Sequence, residues 1–219
     1  FMHKIINNLE EIKDKLNQLK ADLSENVRII AVSKTFLIED IEPLIEYGHE
    51  DFGENKIQEA VNKWSDIKNK NPKLKLHMVG KIQTNKVKFL LPLFDYIHSL
   101  DNLKLAKKIS DEEIKKKKKL KIFIQVNIDD ESQKSGISIE NLNEFYLKCI
   151  NDLNLNIIGL MCLPSQNKNP TDCFLLLKKL AKDLNIFELS MGMSNDYEEA
   201  IKCGSTYIRV GSNIFGKRT

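Results

Sequence analysis

Apolar and polar residues alternate with two different periods along the chain. Near the start, apolar residues recur at spacings of three and four, which predicts an amphipathic helix over residues 1–23. From Val27 onward the pattern changes to short β-branched or apolar runs separated by helix-like stretches. The apolar residues of the predicted first helix are Ile5, Leu9, Ile12, Leu16, Leu19 and Leu23.

The later pattern predicts strands that alternate with helices to the end of the sequence. Gly48 and Gly204 stand where a glycine commonly ends a helix. Strands are predicted over 28–33, 51–53, 74–80, 96–99, 121–128, 157–163, 187–191 and 207–210. Helices are predicted over 39–47, 55–70, 85–91, 103–117, 139–151, 171–184 and 196–203.

Strict alternation of strands and helices is typical of parallel strands joined by right-handed crossovers. The strands are apolar along most of their length, as expected when both faces of a sheet are covered. Eight strands favour a closed (β/α)8 TIM barrel, and 219 residues lie at the short end for that fold. The second strand is weak, so an open sheet with one miscounted strand is the alternative. No linker-like stretch divides the chain, which predicts one domain over residues 1–219.

Composition excludes several classes of protein. Apolar residues make up 42% and charged residues 30%, an ordinary globular balance. No run approaches the ~18 apolar residues that a membrane helix needs, and the first 23 residues do not resemble a signal peptide. We therefore expect a soluble, cytoplasmic protein without a membrane partner.

The cysteines show no pattern of a disulfide framework or a metal site. No CxxC pair and no histidine pair at ligand spacing is present. We expect small core residues in a reducing compartment, and no metal. The cysteines are Cys149, Cys162, Cys173 and Cys203.

The lysine run at 115–119 is the one low-complexity feature. It could contact a nucleic-acid backbone, but Asp111, Glu112 and Glu113 precede three of these lysines by four residues. That spacing favours a solvated, salt-bridged helix end. The net charge of +3 is also small, so we expect no nucleic-acid partner.

Two loops carry the pattern of an anion site. In a barrel, functional residues gather at the carboxyl ends of the strands, and phosphate commonly binds after strands seven and eight. Gly192 and Ser194 follow the seventh strand, and Gly211 and Ser212 follow the eighth. Glycine allows close approach of the main chain, and unpaired N–H groups there attract an anion. These residues are also consistent with simple capped turns, but the pair of loops in these positions favours a phosphate site.

Lys34 directly follows the first predicted strand and would point into the barrel mouth. Alone it would be an ordinary surface lysine whose stem lies on apolar residues. Opposite a phosphate site it suggests a Schiff-base lysine, since a desolvated amine near another cation has a lowered pKa. Arg209, two residues before Gly211, is the candidate for that cation.

Several stretches resemble the signatures of a known family, the pyridoxal 5′-phosphate (PLP) homeostasis proteins, also called YggS-type or proline synthase co-transcribed proteins. The resemblance covers nearly the whole chain. The matching stretches are Ala31-Val32-Ser33-Lys34-Thr35, Asp51-Phe52-Gly53-Glu54-Asn55, His77-Met78-Val79-Gly80, Gln83-Thr84-Asn85-Lys86, Gln125-Val126-Asn127, Lys134-Ser135-Gly136, Gly159-Leu160-Met161, Leu189-Ser190-Met191-Gly192-Met193-Ser194, Ile208-Arg209-Val210-Gly211-Ser212 and Ile214-Phe215-Gly216.

This resemblance implies a barrel similar to the N-terminal domain of alanine racemase, with PLP as cofactor held as a Schiff base on Lys34. The phosphate would lie on Ser194, Gly211 and Ser212. Arg209 would face the pyridine nitrogen, and Asn55 and Met191 would line the ring. Ser212 replaces the usual threonine of the family, while Phe36 and Leu37 replace a charged residue and a proline.

The implied function is intracellular PLP homeostasis, as a carrier or buffer without strong turnover. The alternative is a PLP-dependent amino-acid racemase. Racemisation needs acid/base groups on both faces of the substrate carbon. Racemases similar to this barrel take the second group, a tyrosine, from a further domain, which we do not expect here because the chain ends eight residues after Gly211. The expected partners are PLP and apo forms of PLP-dependent enzymes, and a monomer is favoured over a dimer.

Overall fold

The computed structural model describes residues 3–20, 27–129, 135–165 and 167–216. Within these residues, eight parallel strands close into a barrel in sequence order, because β1 pairs with both β2 and β8. The strands are β1 Arg28–Val32, β2 Asp51–Glu54, β3 Lys75–Met78, β4 Tyr96–Leu100, β5 Lys121–Gln125, β6 Ile157–Met161, β7 Glu188–Met193 and β8 Tyr207–Val210.

Helices surround the barrel and connect consecutive strands. A 3-10 turn, Thr84–Lys86, precedes α4, and a π-helical turn, Lys148–Asp152, ends the α6 region. The helices are α1 Lys4–Lys20, α2 Ile38–Glu46, α3 Ile57–Lys70, α4 Val87–Leu93, α5 Leu103–Lys116, α6 Ile139–Leu147, α7 Pro170–Asp183, α8 Tyr197–Lys202 and α9 Ser212–Phe215.

The observed elements confirm the (β/α)8 barrel and exclude the open sheet. The weak second strand is present and pairs on both sides, with β1 and with β3. The strands predicted over 74–80 and 121–128 are shorter in the structure, and the predicted helix over 139–151 divides at the π-helical turn. Residues 1–2 and 21–23 of the first predicted helix lie outside the described residues, as does Lys134. That the whole chain forms one domain stays a prediction.

Alternating side chains divide the buried residues between two layers. An inner cluster fills part of the barrel, and a larger outer cluster lies between the strands and the helices. The alternation along β1 shows this division, because Ile30 and Val32 belong to the inner cluster and Ile29 and Ala31 to the outer one. The inner cluster consists of Ile30, Val32, Tyr96, Phe123, Met161 and Tyr207.

The first helix packs against the end of the chain that follows β8. Helix α1 contacts α8 and α9, and the side-chain amide of Asn8 donates to the carbonyl of Ile214 at 2.8 Å. This contact fixes α9 beside the carboxyl end of β8. The loop that contains Gly211 is therefore supported from outside the barrel.

Candidate functional site

Lys34 lies in the turn that follows β1, at the carboxyl-end mouth of the barrel. Its side chain is half-buried. Ile30 and Val32 face the barrel interior, and Lys34 continues the same alternation two positions farther on. The structure therefore brings Lys34 to the mouth, as the sequence predicts.

The turn around Lys34 is held by contacts with α3. Lys63 donates from its ammonium nitrogen to the carbonyl of Ser33 at 2.9 Å, and the N–H of Thr35 donates to Glu59 at 2.8 Å. Thr35 has a φ of 71°, in the left-handed region that is uncommon for residues other than glycine. Two side chains of one helix thus hold the residues on either side of Lys34.

A buried carboxylate, that of Glu54 at the end of β2, joins this turn to the outer core. Its Oε1 atom accepts hydrogen bonds from the hydroxyl of Ser33 at 2.8 Å, the ammonium of Lys63 at 2.9 Å and the indole N–H of Trp64 at 2.9 Å. The Glu54 side chain is 0% exposed and that of Lys63 only 9%. We call Ser33, Glu54, Lys63 and Trp64 the Glu54 cluster.

The turn also has an aromatic contact on its other side. The ring of Phe36 stacks on that of Phe215 in α9, with centroids 4.9 Å apart, while Leu37 is exposed. Phe36, one of the departures from the family pattern, therefore connects the loop after β1 to the loop after β8.

The loops after β7 and β8 meet beside the end of β1. The N–H of Gly211 donates to the hydroxyl of Ser194 at 3.4 Å, and the amide of Asn213 donates to the carbonyl of Ser194 at 2.9 Å. A Cβ atom on Gly211 would lie 3.4 Å from the carbonyl oxygen of Val32. Ser212 is the next residue and is exposed. The structure thus brings Ser194, Gly211 and Ser212 together. Gly211 approaches Val32, which precedes Lys34 by two residues.

Gly192 is required by the geometry of the loop after β7. Its φ is 91°, and a Cβ atom there would lie 2.6 Å from the Cβ of Ala200 in α8. Asp196 accepts a hydrogen bond from the N–H of Met193 at 2.6 Å, which closes the turn before α8. Only glycine satisfies both the backbone angle and the close approach of the helix.

Arg209 points into the barrel from β8 and is 5% exposed. Its guanidinium donates to the hydroxyl of Ser190 at 2.6 Å and to the carbonyl of Cys162 at 3.0 Å. Burial lowers the pKa of the guanidinium from its ordinary value, but arginine remains protonated in proteins. A cation is therefore fixed inside the mouth by two neutral acceptors.

Asn55 and Met191, expected to line a ring, lie in different surroundings. Asn55 follows β2 at the mouth, and its Oδ1 atom is buried without a hydrogen-bond partner among the described residues. A Cβ atom on Gly80 would lie 2.2 Å from the carbonyl of Asn55, so the loops after β2 and β3 touch. The Met191 side chain is fully buried in the outer cluster, so it packs away from the mouth.

Sequence reasoning missed a polar chain inside the barrel and the supporting role of α3. Ser190, His98 and His77 are all 0% exposed and hydrogen-bonded in series behind Arg209. Alternation along β3, β4 and β7 would have pointed these side chains inward, next to Tyr96 and Phe123. Nothing in the spacing of Glu54 and Lys63 shows that they meet.

The described residues contain no group of three or more His, Cys, Asp or Glu side chains that could hold a metal ion. The four cysteines are all described, and all are free and buried. Burial raises the pKa of Cys162 to about 12, so its thiol is a weak nucleophile. Among the helices in the described ranges, none combines the length and apolar character that crossing a bilayer requires.

Comparison with known proteins gives one consistent group of relatives. Residues 7–219 match the family model described as the N-terminal domain of alanine racemase. The chain is 37% identical over 223 residues to the pyridoxal phosphate homeostasis protein of Pasteurella multocida (strain Pm70), covering 95% of this chain and 94% of that protein. The chain belongs to the pyridoxal phosphate homeostasis protein family. Its Escherichia coli (strain K12) member is 33% identical and covers 99% of this chain and 98% of its own length.

Solved structures with the same barrel include one that was determined with PLP bound. PipY of Synechococcus elongatus PCC7942, determined with PLP bound, is 30% identical and superimposes with a TM-score of 0.82, covering 93% of this chain and 99% of PipY. An alanine racemase of Clostridium difficile 630 is only 14% identical, with a TM-score of 0.69, and the match spans 57% of that racemase. The racemases therefore share the fold, whereas the homeostasis proteins match along their length.

Proposed function

We propose that the protein binds PLP covalently through Lys34 and acts as an intracellular carrier or buffer of this cofactor. One observation carries the proposal: the Ser194–Gly211 contact and the half-buried Lys34 lie at the same barrel mouth, above the buried cation of Arg209. Family membership adds support, because PipY is known with PLP bound.

The residues at the mouth fit the chemistry of PLP. Ser194, Ser212 and the N–H of Gly211 offer donors to a phosphate dianion, and these are the charge-assisted bonds that bind phosphate strongly. Arg209 offers N–H donors to a ring nitrogen. Asn55 has an unpaired buried oxygen at the mouth, which a donor of the ligand would satisfy. Met191 does not join this proposed site through its side chain.

Lys34 would act as the nucleophile. Its neutral amine attacks the aldehyde carbon, the new C=N bond replaces the C=O bond, and the carbonyl oxygen leaves as water with two amine protons. The contacts of Lys63 and Glu59 with the residues on either side of Lys34 would hold the amine in place for this step. Bound PLP supplies an aldehyde carbon that can be exchanged between amines, and this exchange suffices to load and unload the cofactor.

A carrier agrees better with the site than a racemase. All five tyrosines lie in the described part of the chain, and Tyr47 and Tyr146 stand at the C-terminal ends of α2 and α6, away from the mouth. Tyr96 and Tyr207 are at the opposite end of the barrel interior, and Tyr197 is buried in α8. Arg209 can donate a hydrogen bond to a ring nitrogen but does not transfer its proton to it, and an unprotonated ring is a weaker electron sink. The location in the cytoplasm, the monomeric state and apo enzymes as recipients of PLP belong to the same proposal.

Removing the two hydroxyls of the phosphate site is expected to weaken PLP binding strongly. A hydrogen bond to a charged oxygen contributes about 1.5–3 kcal/mol. Ser194→Ala with Ser212→Ala should therefore raise the dissociation constant by at least about 100-fold, as measured by equilibrium dialysis. Ser65→Ala is the control, because the Ser65 hydroxyl bonds only within α3, to the carbonyl of Val61. Unchanged affinity in the double variant would contradict the phosphate site.

The PLP-loaded protein is expected to exchange no α-proton of an amino acid with solvent at an enzymatic rate. The physical reason is that the mouth lacks a second acid/base side chain among the tyrosines, and Arg209 does not protonate the ring. The measurement is incubation with a panel of L- and D-amino acids in heavy water, followed by mass analysis. Multiple-turnover exchange that disappears in Lys34→Ala would establish an enzyme and refute the carrier.

A further inference from the structure

Five side chains form one hydrogen-bonded series through the interior of the barrel. Asp51 Oδ1 lies 2.9 Å from His77 Nε2, and His77 Nδ1 lies 3.0 Å from His98 Nε2. His98 Nδ1 then lies 2.7 Å from the hydroxyl of Ser190, which accepts from Arg209 at 2.6 Å. We call this series the interior chain.

One direction of donation suits both ends of the series. The guanidinium of Arg209 can only donate, so the hydroxyl of Ser190 accepts there, and its own proton is free to point at His98 Nδ1. His98 Nε2–H then donates to His77 Nδ1, and His77 Nε2–H donates to Asp51. The opposite direction would place an unprotonated imidazole nitrogen against the ionised Asp51 carboxylate. When both histidines are neutral, this direction places the proton of each on Nε2.

The electrostatics of the described residues agree with this assignment. Burial lowers the pKa of His77 despite the neighbouring Asp51, and burial together with His77 and Arg209 lowers that of His98 well below its ordinary value. Burial tends to raise the pKa of Asp51, but the hydrogen bond from His77 and the nearby Arg28, at 3.7 Å, lower it overall. The series therefore runs from an ionised Asp51 through two neutral imidazoles to the cation of Arg209.

Packing fixes the orientation of both imidazole rings. His77 stacks on Tyr96 with centroids 4.2 Å apart, and His98 stacks on Phe123 with centroids 4.4 Å apart. Both histidines are 0% exposed, as is Ser190. In such a dry environment each hydrogen bond polarises the next, so the series acts as a unit.

We propose that the interior chain is a positioning device that fixes the guanidinium of Arg209 toward a ligand in the barrel mouth. Ser190 and His98 are then positioning residues, and Asp51 is the negatively charged end of the chain on the opposite side of the barrel. The bonds to Ser190 and Cys162 use two of the five N–H donors of Arg209, so their direction sets where the others point. The identity of that ligand as PLP rests on the proposed function.

The first test needs no ligand. In the apoprotein, 15N spectra of the imidazoles should show His77 and His98 neutral and protonated on Nε2 from pH 6 to 9. In Asp51→Asn, the signals of His98, one histidine removed from the change, should shift because polarisation passes along the series. A proton on Nδ1 of His98, or His98 signals unaffected by Asp51→Asn, would overturn the proposal.

The second test uses the PLP-loaded protein. Ser190→Ala should raise the dissociation constant of PLP about 10-fold and shift its absorption band, and Ser190→Thr, which retains a hydroxyl, should restore both. The matched control is Ser205→Ala, because Ser205 is also buried but donates to main-chain carbonyls such as that of Met191, at 2.7 Å. Equal effects of Ser190→Ala and Ser205→Ala would reduce Ser190 to a packing role and overturn the proposal.

The two tests separate this inference from the proposed function. If the wild-type protein bound no PLP, the proposed function would fail, and the 15N spectra of the apoprotein would still decide whether the hydrogen-bonded series from Asp51 to His98 exists. If PLP bound normally but the spectra showed neither Nε2 protonation of both histidines nor a response of His98 to Asp51→Asn, the positioning inference alone would fail.

Discussion

Lys34→Arg is expected to lose covalent attachment of PLP completely. Arginine retains the positive charge and the length of the side chain, but it stays protonated and provides no amine to attack an aldehyde. After incubation with PLP and reduction with borohydride, the wild-type protein should carry one pyridoxyl group on the peptide that contains Lys34. The variant should carry none, as measured by mass analysis of the intact protein and its peptides.

Lys81→Ala is the matched control for this experiment. Lys81 is an exposed lysine in the loop after β3, at the same end of the barrel. Its removal should leave the pyridoxyl group on the Lys34 peptide. Modification of another lysine in the wild-type protein, or an equal yield in Lys34→Arg, would sink the assignment of Lys34.

Glu54→Leu is expected to cost about 3–5 kcal/mol of the free energy of unfolding, because it leaves the ammonium of Lys63 buried without its carboxylate. The same change removes the acceptor for Ser33 and for the indole of Trp64. Urea denaturation followed by tryptophan fluorescence measures the loss, since Trp64 is the only tryptophan of the chain. The turn that carries Lys34 loses part of its support, so PLP binding should weaken as well.

The contrasting variant is Glu59→Gln, in the same helix. Glu59 is 3.8 Å from Lys63 and partly exposed, and such a pair contributes less than about 1 kcal/mol. Its amide oxygen can still accept from the N–H of Thr35. A loss of stability in Glu59→Gln as large as that in Glu54→Leu would show that burial of the Glu54 carboxylate is not the deciding factor.

The sequence predicts the barrel well because the alternation of strands with helices can be recognised from local runs of residues. Most strands appear as short apolar runs, and Lys34, Gly192 and Gly211 stand at strand ends where local spacing alone places them at the mouth. The alternation of Leu189, Ser190 and Met191 also contains the signal that Met191 faces the helices, since Leu189 does so. The resemblance predicts Met191 at the ring, whereas the alternation predicts the outer cluster in which its side chain lies.

Contacts between distant elements could not be predicted from the sequence. The Glu54 cluster joins the end of β1, the end of β2 and the middle of α3, and its geometry depends on how the helix packs on the sheet. The interior chain depends on the register of five strands around the barrel, namely β2, β3, β4, β7 and β8. Register shifts interrupt the pairing of β7 with β8, and a single-residue slip reverses which face a side chain occupies.

The contact between Ser194 and Gly211 has a consequence for anion binding. At 3.4 Å it is a long bond between the loops after β7 and β8. A phosphate oxygen that reaches the N–H of Gly211 would replace it with a shorter, charge-assisted bond. The hydroxyl oxygen of Ser194 thus accepts the same N–H that a phosphate oxygen would accept. The two loops therefore need little rearrangement to receive the anion. Such preorganisation keeps the entropic cost of binding low, so affinity depends mainly on the new bonds.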